Sequence, residues 1–404
     1  MTLDQKPADR TTTRLPLLTY VLAAGTFLMG TTEFVVAGLL PEMARDLDVS
    51  VARAGLLITG FALGMIVGPP AMAILTRRLP PRWTLGLALV VFAAGHVVVA
   101  VGSSFTVLLL ARFVTALATG AFWAVAAVVG ARAAGPGASS RALGVVLGGG
   151  MLANVAGVPL GTFAGQLMGW QGPFWALAVL AASGAVGIRR FVAGEGPQHH
   201  VSSVRSELVA LRSGRLWLTL AACAATTGGV LSAYSYLSPL LTQRAGVASA
   251  LVPLVLAGFG AGALIGSLVG GRLGDRRPFH VMVGAASATV VVLASLCVLA
   301  DQAVPVVVLV TLLGLVGLTA NPVLVGLAVR FGDAAPTLAS GLSTAAFNFG
   351  TAVGSWAAGV ALESSLAETG PTIVGTVIAA STLVPVVALI RAQRRAVTGS
   401  AERF

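Results

Sequence analysis

The residues best suited to chemistry in this chain are two charged side chains that lie inside apolar segments. Glu33 lies in TTEFVVAGLLPEM, residues 31–43, within a run otherwise built mainly from Leu, Val, Ala and Gly. Arg112 follows LLLA in a second apolar run. A charge at the centre of a membrane costs about 2.5–3.5 kcal/mol on insertion scales, so each of these groups needs a compensating partner.

Glu33 and Arg112 are predicted to share a depth in the outer half of the membrane. At 1.5 Å per residue, both lie several ångströms outward from the centres of their helices. We expect the two to pair, with Glu33 alternating between a proton, Arg112 and a cationic or polar substrate, since ionisable groups in membranes usually mark ion or substrate pathways. A static ion pair, or a Glu33 side chain that reaches towards the interface, is the structural alternative.

Polar and aromatic side chains that could line a substrate cavity are sparse. Large apolar and aromatic walls with few polar groups favour amphiphilic ligands. For each residue the alternative is ordinary helix packing, with Asn joining neighbouring helices. The candidates are Phe122, Trp123, Asn154, Thr226, Tyr234, Tyr236, Asn321 and Asn348.

The segment GGGMLANVAGVPLGTFAGQ combines closely spaced glycines with a proline. Gly157 and Gly161 are four residues apart, a spacing that lets two helix backbones approach closely. Pro159 removes a backbone donor and permits a kink. A moving helix interface needs both properties, although a seam between two copies of the chain would also use the glycines.

The elements that must position these residues are membrane helices. The chain has 404 residues, 56% hydrophobic and only 10% charged, against about 25% charged in soluble proteins. Twelve segments qualify as candidate spans of about 20 mostly apolar residues, although the sixth is short. They lie near residues 15–40, 54–75, 83–101, 105–130, 142–167, 174–188, 216–240, 250–273, 279–300, 304–329, 337–362 and 371–390.

The basic residues set the predicted orientation. With a cytoplasmic N-terminus, 21 basic residues fall on the inner side and three, Arg45, Arg53 and Arg244, fall in outer loops. Such a bias places both termini in the cytoplasm, and it explains the net charge of +11 without a nucleic-acid partner. The predicted parts are an N-terminal tail (1–14), a six-helix bundle (15–188), a linker (189–215), a second six-helix bundle (216–390) and a C-terminal tail (391–404).

The sequence offers little for catalysis or cofactor binding. No G-x-x-x-x-G-K-[ST] phosphate loop is present. No Ser/His/Asp set and no His/Cys metal cluster is apparent, and Cys223 and Cys297 both lie in apolar runs. We expect no enzyme activity, no cofactor and no metal, so any transport must draw on an ion gradient.

The two halves of the chain share a motif. LTRRLP at 75–80 aligns with LGDRRP at 273–278 at an offset of 198 residues. Internal repeats around a central site are common in secondary transporters. GRLGDRRP at 271–278, Arg112 after LLLA, AGVPLG at 156–161 and TEFVVAGLLPEMARDLDVS at 32–50 together resemble the major facilitator superfamily, specifically its 12-helix drug:proton antiporters. The motif at 32–50 in particular resembles that of bacterial chloramphenicol exporters and of the neighbouring sugar-efflux permeases.

This resemblance implies an all-α membrane fold in which two six-helix bundles rock around a central cavity. It implies that Glu33 is the protonatable, substrate-sensing acid and that Arg112 modulates its proton affinity. Gly271, Asp275 and Arg276 would belong to a cytoplasmic gate, and Gly157, Pro159 and Gly161 to the antiporter signature of helix 5. The family's Asp in the N-terminal gate loop is replaced here by Arg77, so Asp275 is expected to carry the gate alone.

The expected function is proton-driven export of small amphiphilic, chloramphenicol-like drugs by a monomer in the bacterial inner membrane. The partners would be the substrate, protons and the lipid bilayer. Export of sugars or nucleosides is the alternative within the same fold. A membrane sensor or scaffold that transports nothing is the alternative from another class.

Overall fold

A computed structural model describes residues 15–75, 79–135, 138–192, 211–333 and 335–401, and these residues form helices with short connections. The linker residues 193–210, the N-terminal tail and Arg77 lie outside the described part. The twelve long helices are α1 (Leu17–Asp46), α2 (Val51–Leu75), α3 (Pro81–Val101), α4 (Phe105–Ala133), α5 (Ser139–Met168), α6 (Gln171–Phe191), α7 (Gly214–Ser235), α8 (Val252–Arg276), α9 (Pro278–Val298), α10 (Ala303–Phe331), α11 (Pro336–Leu362) and α12 (Gly370–Ser381 continued by Leu383–Ala401).

Eleven helices within the described residues are long and apolar enough to cross a membrane. The remaining long helix, α11, spans 27 residues and contains several Ser and Thr residues together with Asn348. Its position agrees with the eleventh predicted segment. The predicted segments therefore match the observed helices, and the fold is the predicted all-α arrangement of two helical halves.

One difference from the predicted boundaries is at the end of α1. The apolar run ends near residue 40, whereas the helix continues through Pro41 to Asp46. The Asp46 carboxylate accepts a hydrogen bond of 2.7 Å from the Trp170 indole at the start of α6. This tertiary contact holds a polar extension that hydrophobicity alone does not predict.

The two halves are joined at their outer ends. The largest hydrophobic cluster combines α1 and α2 with α7 and α8, and it includes Val35, Leu57, Leu237 and Phe259. The smaller clusters around Phe92 and Met282 each belong to one half.

The side-chain hydrogen bonds between the halves also lie at the outer ends of the helices. Among the described residues, three side-chain bonds cross from one half to the other, and all three lie near the outer surface. They run from Ser50 to Glu363 at 2.5 Å, from Gln166 to the Ser249 carbonyl at 2.6 Å and from Tyr236 to the Ala52 carbonyl at 3.4 Å. This conformation is closed on the outer side.

Candidate functional site

Arg112 is almost completely buried, with 1% of its surface exposed. Its guanidinium donates to the backbone carbonyl of Thr32 at 2.9 Å and to the Thr32 hydroxyl at 2.8 Å. A third, longer contact of 3.5 Å runs from Nε to the Leu57 carbonyl in α2. The buried cation is therefore held by dipoles of α1 and α2, which replace part of its lost hydration.

Arg112 also packs against an aromatic ring. Its guanidinium carbon lies 4.3 Å from the centre of the Phe61 ring in α2. A desolvated cation–π contact of this kind contributes about 2 kcal/mol. The second terminal nitrogen of Arg112 is buried and has no hydrogen-bond partner among the described residues. One strong donor is thus left available in the interior.

Thr32 connects Arg112 to His96 in α3. The His96 Nδ1 lies 2.7 Å from the Phe92 carbonyl, so this nitrogen carries the hydrogen and donates it. The His96 Nε2 lies 2.7 Å from the Thr32 hydroxyl and, in the neutral ring, must accept. Arg112, Thr32 and His96 therefore form one directional chain of hydrogen bonds across three helices.

Glu33 lies next to this network without being part of it. Its side chain is partly exposed, and no described group donates a hydrogen bond to its carboxylate. Among the described residues the one ion pair is Arg244–Asp301 at the surface, with a nitrogen–oxygen distance of 2.6 Å. The shared depth of Glu33 and Arg112 is confirmed, because Arg112 binds the residue that precedes Glu33. The predicted direct pairing is absent in this conformation, because backbone and hydroxyl groups hold Arg112 instead.

The direction of Glu33 follows from its neighbours on α1. Thr32 faces Arg112 and His96, and Phe34 packs edge-on against Tyr234 of α7 with ring centres 5.9 Å apart. Successive helical residues are about 100° apart. Glu33 therefore points between the face that contacts α3 and α4 and the face that contacts α7. Glu33 thus directly follows the residue that binds Arg112.

Helix α5 packs its small residues against α1 within one chain. A Cβ atom on Gly157 would collide with Thr31, and one on Gly161 would lie 2.7 Å from a methyl group of Val35. The glycines are thus required for contact with the helix that carries Glu33. These glycines are therefore covered by α1, whereas the alternative, a packing seam between two copies of the chain, would need them exposed.

A π-helical turn, Ala153–Gly157, interrupts α5 and ends two residues before Pro159. Pro159 is buried in the first turn of the following segment. The turn includes Asn154, whose backbone carbonyl approaches Gly260 of α8 so closely that no Cβ would fit there. π-Helical turns are frequent at functional sites. Here the turn lies between α1 and α8, where the two halves meet.

Three of the predicted cavity residues carry buried polar atoms without a hydrogen-bond partner among the described residues. They are the Trp123 indole nitrogen, the Thr226 hydroxyl and the Asn321 amide oxygen. Buried polar groups are usually paired, so unpaired atoms are available to a polar ligand. Asn348 instead donates to the Thr344 carbonyl of its own helix at 3.0 Å.

Three aromatic candidates have packing roles in this conformation. Phe122 is fully buried in the core of the N-terminal half, where it fills the space beside Gly25. Tyr236 donates to the Ser355 carbonyl at 3.1 Å and belongs to the outer closure. Tyr234 lies between Phe34 and Phe259, with a ring-centre distance of 4.5 Å to Phe259. Phe122 and Tyr236 are therefore packing residues in this conformation.

The predicted gate residues lie at the inner end of α8. Gly271 is half-buried, and Asp275 and Arg276 are exposed. Within the described ranges neither charged residue forms an ion pair. The corresponding position in the N-terminal half, Arg77, lies outside those ranges. Among the residues that the structure describes, no cluster of three or more His, Cys, Asp or Glu side chains could hold a metal ion.

Sequence reasoning identified the two charged residues but missed Thr32, Phe61 and His96 as their surroundings. The His96 ring stacks on Phe92, with ring centres 4.0 Å apart, and its Nε2 also orients the Thr32 hydroxyl. Thr32 and His96 are 64 residues apart in the sequence, and nothing in the sequence indicates their contact.

Comparisons with known proteins agree with this architecture. A family model described as Major Facilitator Superfamily matches residues 22–355. The chain is 38% identical over 360 residues to a chloramphenicol resistance protein of Streptomyces lividans, covering 88% of this chain and 92% of that protein. It is 31% identical over 378 residues to an inner membrane transport protein of Escherichia coli K12, covering 94% and 96%.

Among solved structures, the chain is similar to an inward-facing, occupied bacterial homologue of the human lysosomal transporter Spinster. The TM-score is 0.74 at 18% sequence identity, with 94% of this chain and 96% of that chain covered. This likeness extends over the whole helical architecture.

Proposed function

The chain belongs to the major facilitator superfamily, a family of membrane transporters, and we propose that it exports small amphiphilic drugs of the chloramphenicol type in exchange for protons. The proposed location is the bacterial inner membrane, with the protein acting as a monomer. Export of sugars or nucleosides by the same fold is the second candidate. The few polar groups along the helices favour the first, since sugars need many hydrogen-bonding side chains.

The observation that carries the proposal is the partly exposed Glu33 beside a buried Arg112. Arg112 is anchored by Thr32 and does not depend on Glu33 for its hydrogen bonds. Glu33 has no fixed partner among the described residues. An acid with these surroundings can bind and release a proton or a substrate without breaking the hydrogen bonds that hold Arg112.

In the proposed cycle, protonation of Glu33 removes its attraction to Arg112 and to a cationic or polar substrate. This step occurs with the cavity open to the outside and releases the drug. In the inward-facing conformation Glu33 loses the proton, and its negative charge favours rebinding of substrate. The outer closure around Ser50, Tyr236 and Glu363 must open once in each cycle.

The membrane potential supplies part of the driving force. Each proton that moves inward contributes about 2.3 kcal/mol per 100 mV. One proton per cycle is therefore enough to sustain a drug concentration ratio of tens. We further propose that Asp275 and Arg276 act at the cytoplasmic gate when the inner ends approach each other.

The test is chloramphenicol accumulation in a drug-sensitive bacterium that expresses the protein, with and without a protonophore. Accumulation should be low and should rise when the proton gradient collapses. Glu33→Gln should abolish this uphill export while the protein remains in the membrane at normal abundance. The matched control is Glu368→Gln, the same chemical change in an outer loop, which should export normally.

Two results would contradict the proposal. Undiminished export by Glu33→Gln would remove Glu33 from the mechanism. Accumulation equal to that of cells with an empty vector would exclude chloramphenicol as substrate and favour the sugar or nucleoside alternative.

A further inference from the structure

A groove of about 650 Å³ lies between α3 and α6 on an exposed side of the N-terminal half, away from the Glu33 site. Its walls are mainly exposed apolar side chains, including Leu87, which is 56% exposed, and Val179, which is 62% exposed. Small residues form its floor, and a Cβ atom on Gly86 would meet no other atom within 4 Å. The groove is therefore open space on the lipid-facing surface.

At the inner end of the groove, two arginine side chains lie against the same aromatic ring. The guanidinium carbons of Arg82 and Arg189 lie 5.6 Å and 5.8 Å from the centre of the Trp83 indole. No Asp or Glu lines the groove, and neither arginine forms an ion pair within the described residues. The arginine distribution of the whole chain assigns this end to the cytoplasmic side.

The length of the groove fits a lipid chain. Between Arg82 and Val97 the helix rises about 22 Å at 1.5 Å per residue. This exceeds the half-thickness of about 15 Å of a bilayer core. An acyl chain that begins at the inner interface can therefore remain in the groove throughout its own leaflet.

We propose that this groove binds an anionic phospholipid of the cytoplasmic leaflet. The headgroup phosphate lies between Arg82 and Arg189 beside Trp83, and an acyl chain follows the apolar wall past Gly86. Charge complementarity selects the occupant, because a zwitterionic lipid has no net charge to neutralise two arginines. Basic pockets between membrane helices on the cytoplasmic side bind anionic headgroups in this way.

The test is native mass spectrometry of the purified full-length protein with phosphatidylglycerol or phosphatidylethanolamine of identical acyl chains. The protein should retain one phosphatidylglycerol in preference to phosphatidylethanolamine. Arg82→Gln and Arg189→Gln should each lower the affinity about fivefold. The matched control is Arg190→Gln, which removes the same charge from the neighbouring exposed position outside the groove and should have little effect.

A second variant distinguishes a lipid from a free anion. Gly86→Leu fills the groove without changing any charge and should reduce retention of phosphatidylglycerol, with an unchanged melting temperature as the check on folding. Undiminished retention by Gly86→Leu, or displacement of the lipid by millimolar inorganic phosphate, would assign the arginines to a simple anion site. Equal losses in Arg189→Gln and Arg190→Gln would reduce the effect to general surface charge and overturn the proposal.

Discussion

Arg112 binds Thr32 twice, through its backbone carbonyl at 2.9 Å and its hydroxyl at 2.8 Å, and Thr32 directly precedes Glu33. The positive charge is thus fixed to the backbone of α1 rather than to the acid it influences. The electrostatic environment of Glu33 therefore persists whether or not Glu33 is protonated. The buried cation and the acid that we propose to exchange protons are therefore held separately.

Arg112→Lys should fail to replace the arginine despite keeping the charge. An ammonium group lacks the planar guanidinium, which donates from one terminal nitrogen to both oxygens of Thr32, contacts the Leu57 carbonyl through Nε and stacks on Phe61. Hydrogen bonds to charged groups contribute about 1.5–3 kcal/mol, so export should fall about tenfold or more. Initial export rates, normalised to the amount of protein in the membrane, give the measurement. A fully active Arg112→Lys would show that charge alone is sufficient.

Thr32→Val should weaken both the site and the fold. Valine has nearly the shape of threonine but leaves an Arg112 donor and the His96 acceptor without a partner. The cost is about 1–3 kcal/mol, seen as a lower melting temperature in detergent. Thr119→Val is the control, because the Thr119 hydroxyl is also buried but donates to the Thr115 carbonyl of its own helix. Equal losses in the two variants would argue against the network.

His96 should be coupled energetically to Thr32. His96→Leu removes the acceptor of the Thr32 hydroxyl, and the double variant with Thr32→Val removes both partners. Because the two residues share one hydrogen bond, the combined loss of stability should be smaller than the sum of the single losses. Strictly additive melting-temperature shifts would assign His96 to packing against Phe92 alone.

Gly161→Ala should disturb the contact between α5 and α1, since its Cβ would approach a Val35 methyl group to 2.7 Å. Overpacking of this kind costs about 1–3 kcal/mol. Val35→Ala in the same chain removes that methyl group and should restore stability and export. Gly148→Ala, where an added Cβ meets no atom within 4 Å, is the control and should be tolerated. A harmless Gly161→Ala would contradict the tight contact.

A covalent link across the outer closure should stop transport. Ser50 and Glu363 come from opposite halves and are hydrogen-bonded at 2.5 Å. In a chain with Cys223 and Cys297 replaced by Ala, Ser50→Cys and Glu363→Cys can be joined by a short cleavable thiol cross-linker. Export should cease after cross-linking and return after cleavage. Either single cysteine variant, treated identically, should remain active, and continued export by the linked protein would exclude opening at this point.

Sequence patterns alone predict the membrane helices, their orientation and the two interior charges. These follow from the length of apolar runs, the side on which arginines accumulate and the cost of burying Glu33 and Arg112, all of which are local or additive properties. The glycine spacing of α5 likewise predicted a close helix contact. The extension of α1 to Asp46 was not predictable, because it depends on Trp170, which lies 124 residues away.

What Arg112 binds could not be predicted from sequence patterns. Its partners come from α1 and α2, and the chain of hydrogen bonds continues to α3. A backbone carbonyl carries no sequence signature, so direct pairing with Glu33 was the natural prediction. Which aromatic residues pack and which close the outer side was also decided by the arrangement of helices. The face that a residue such as Phe122 or Tyr236 presents to its neighbours is fixed by tertiary packing and not by residue type.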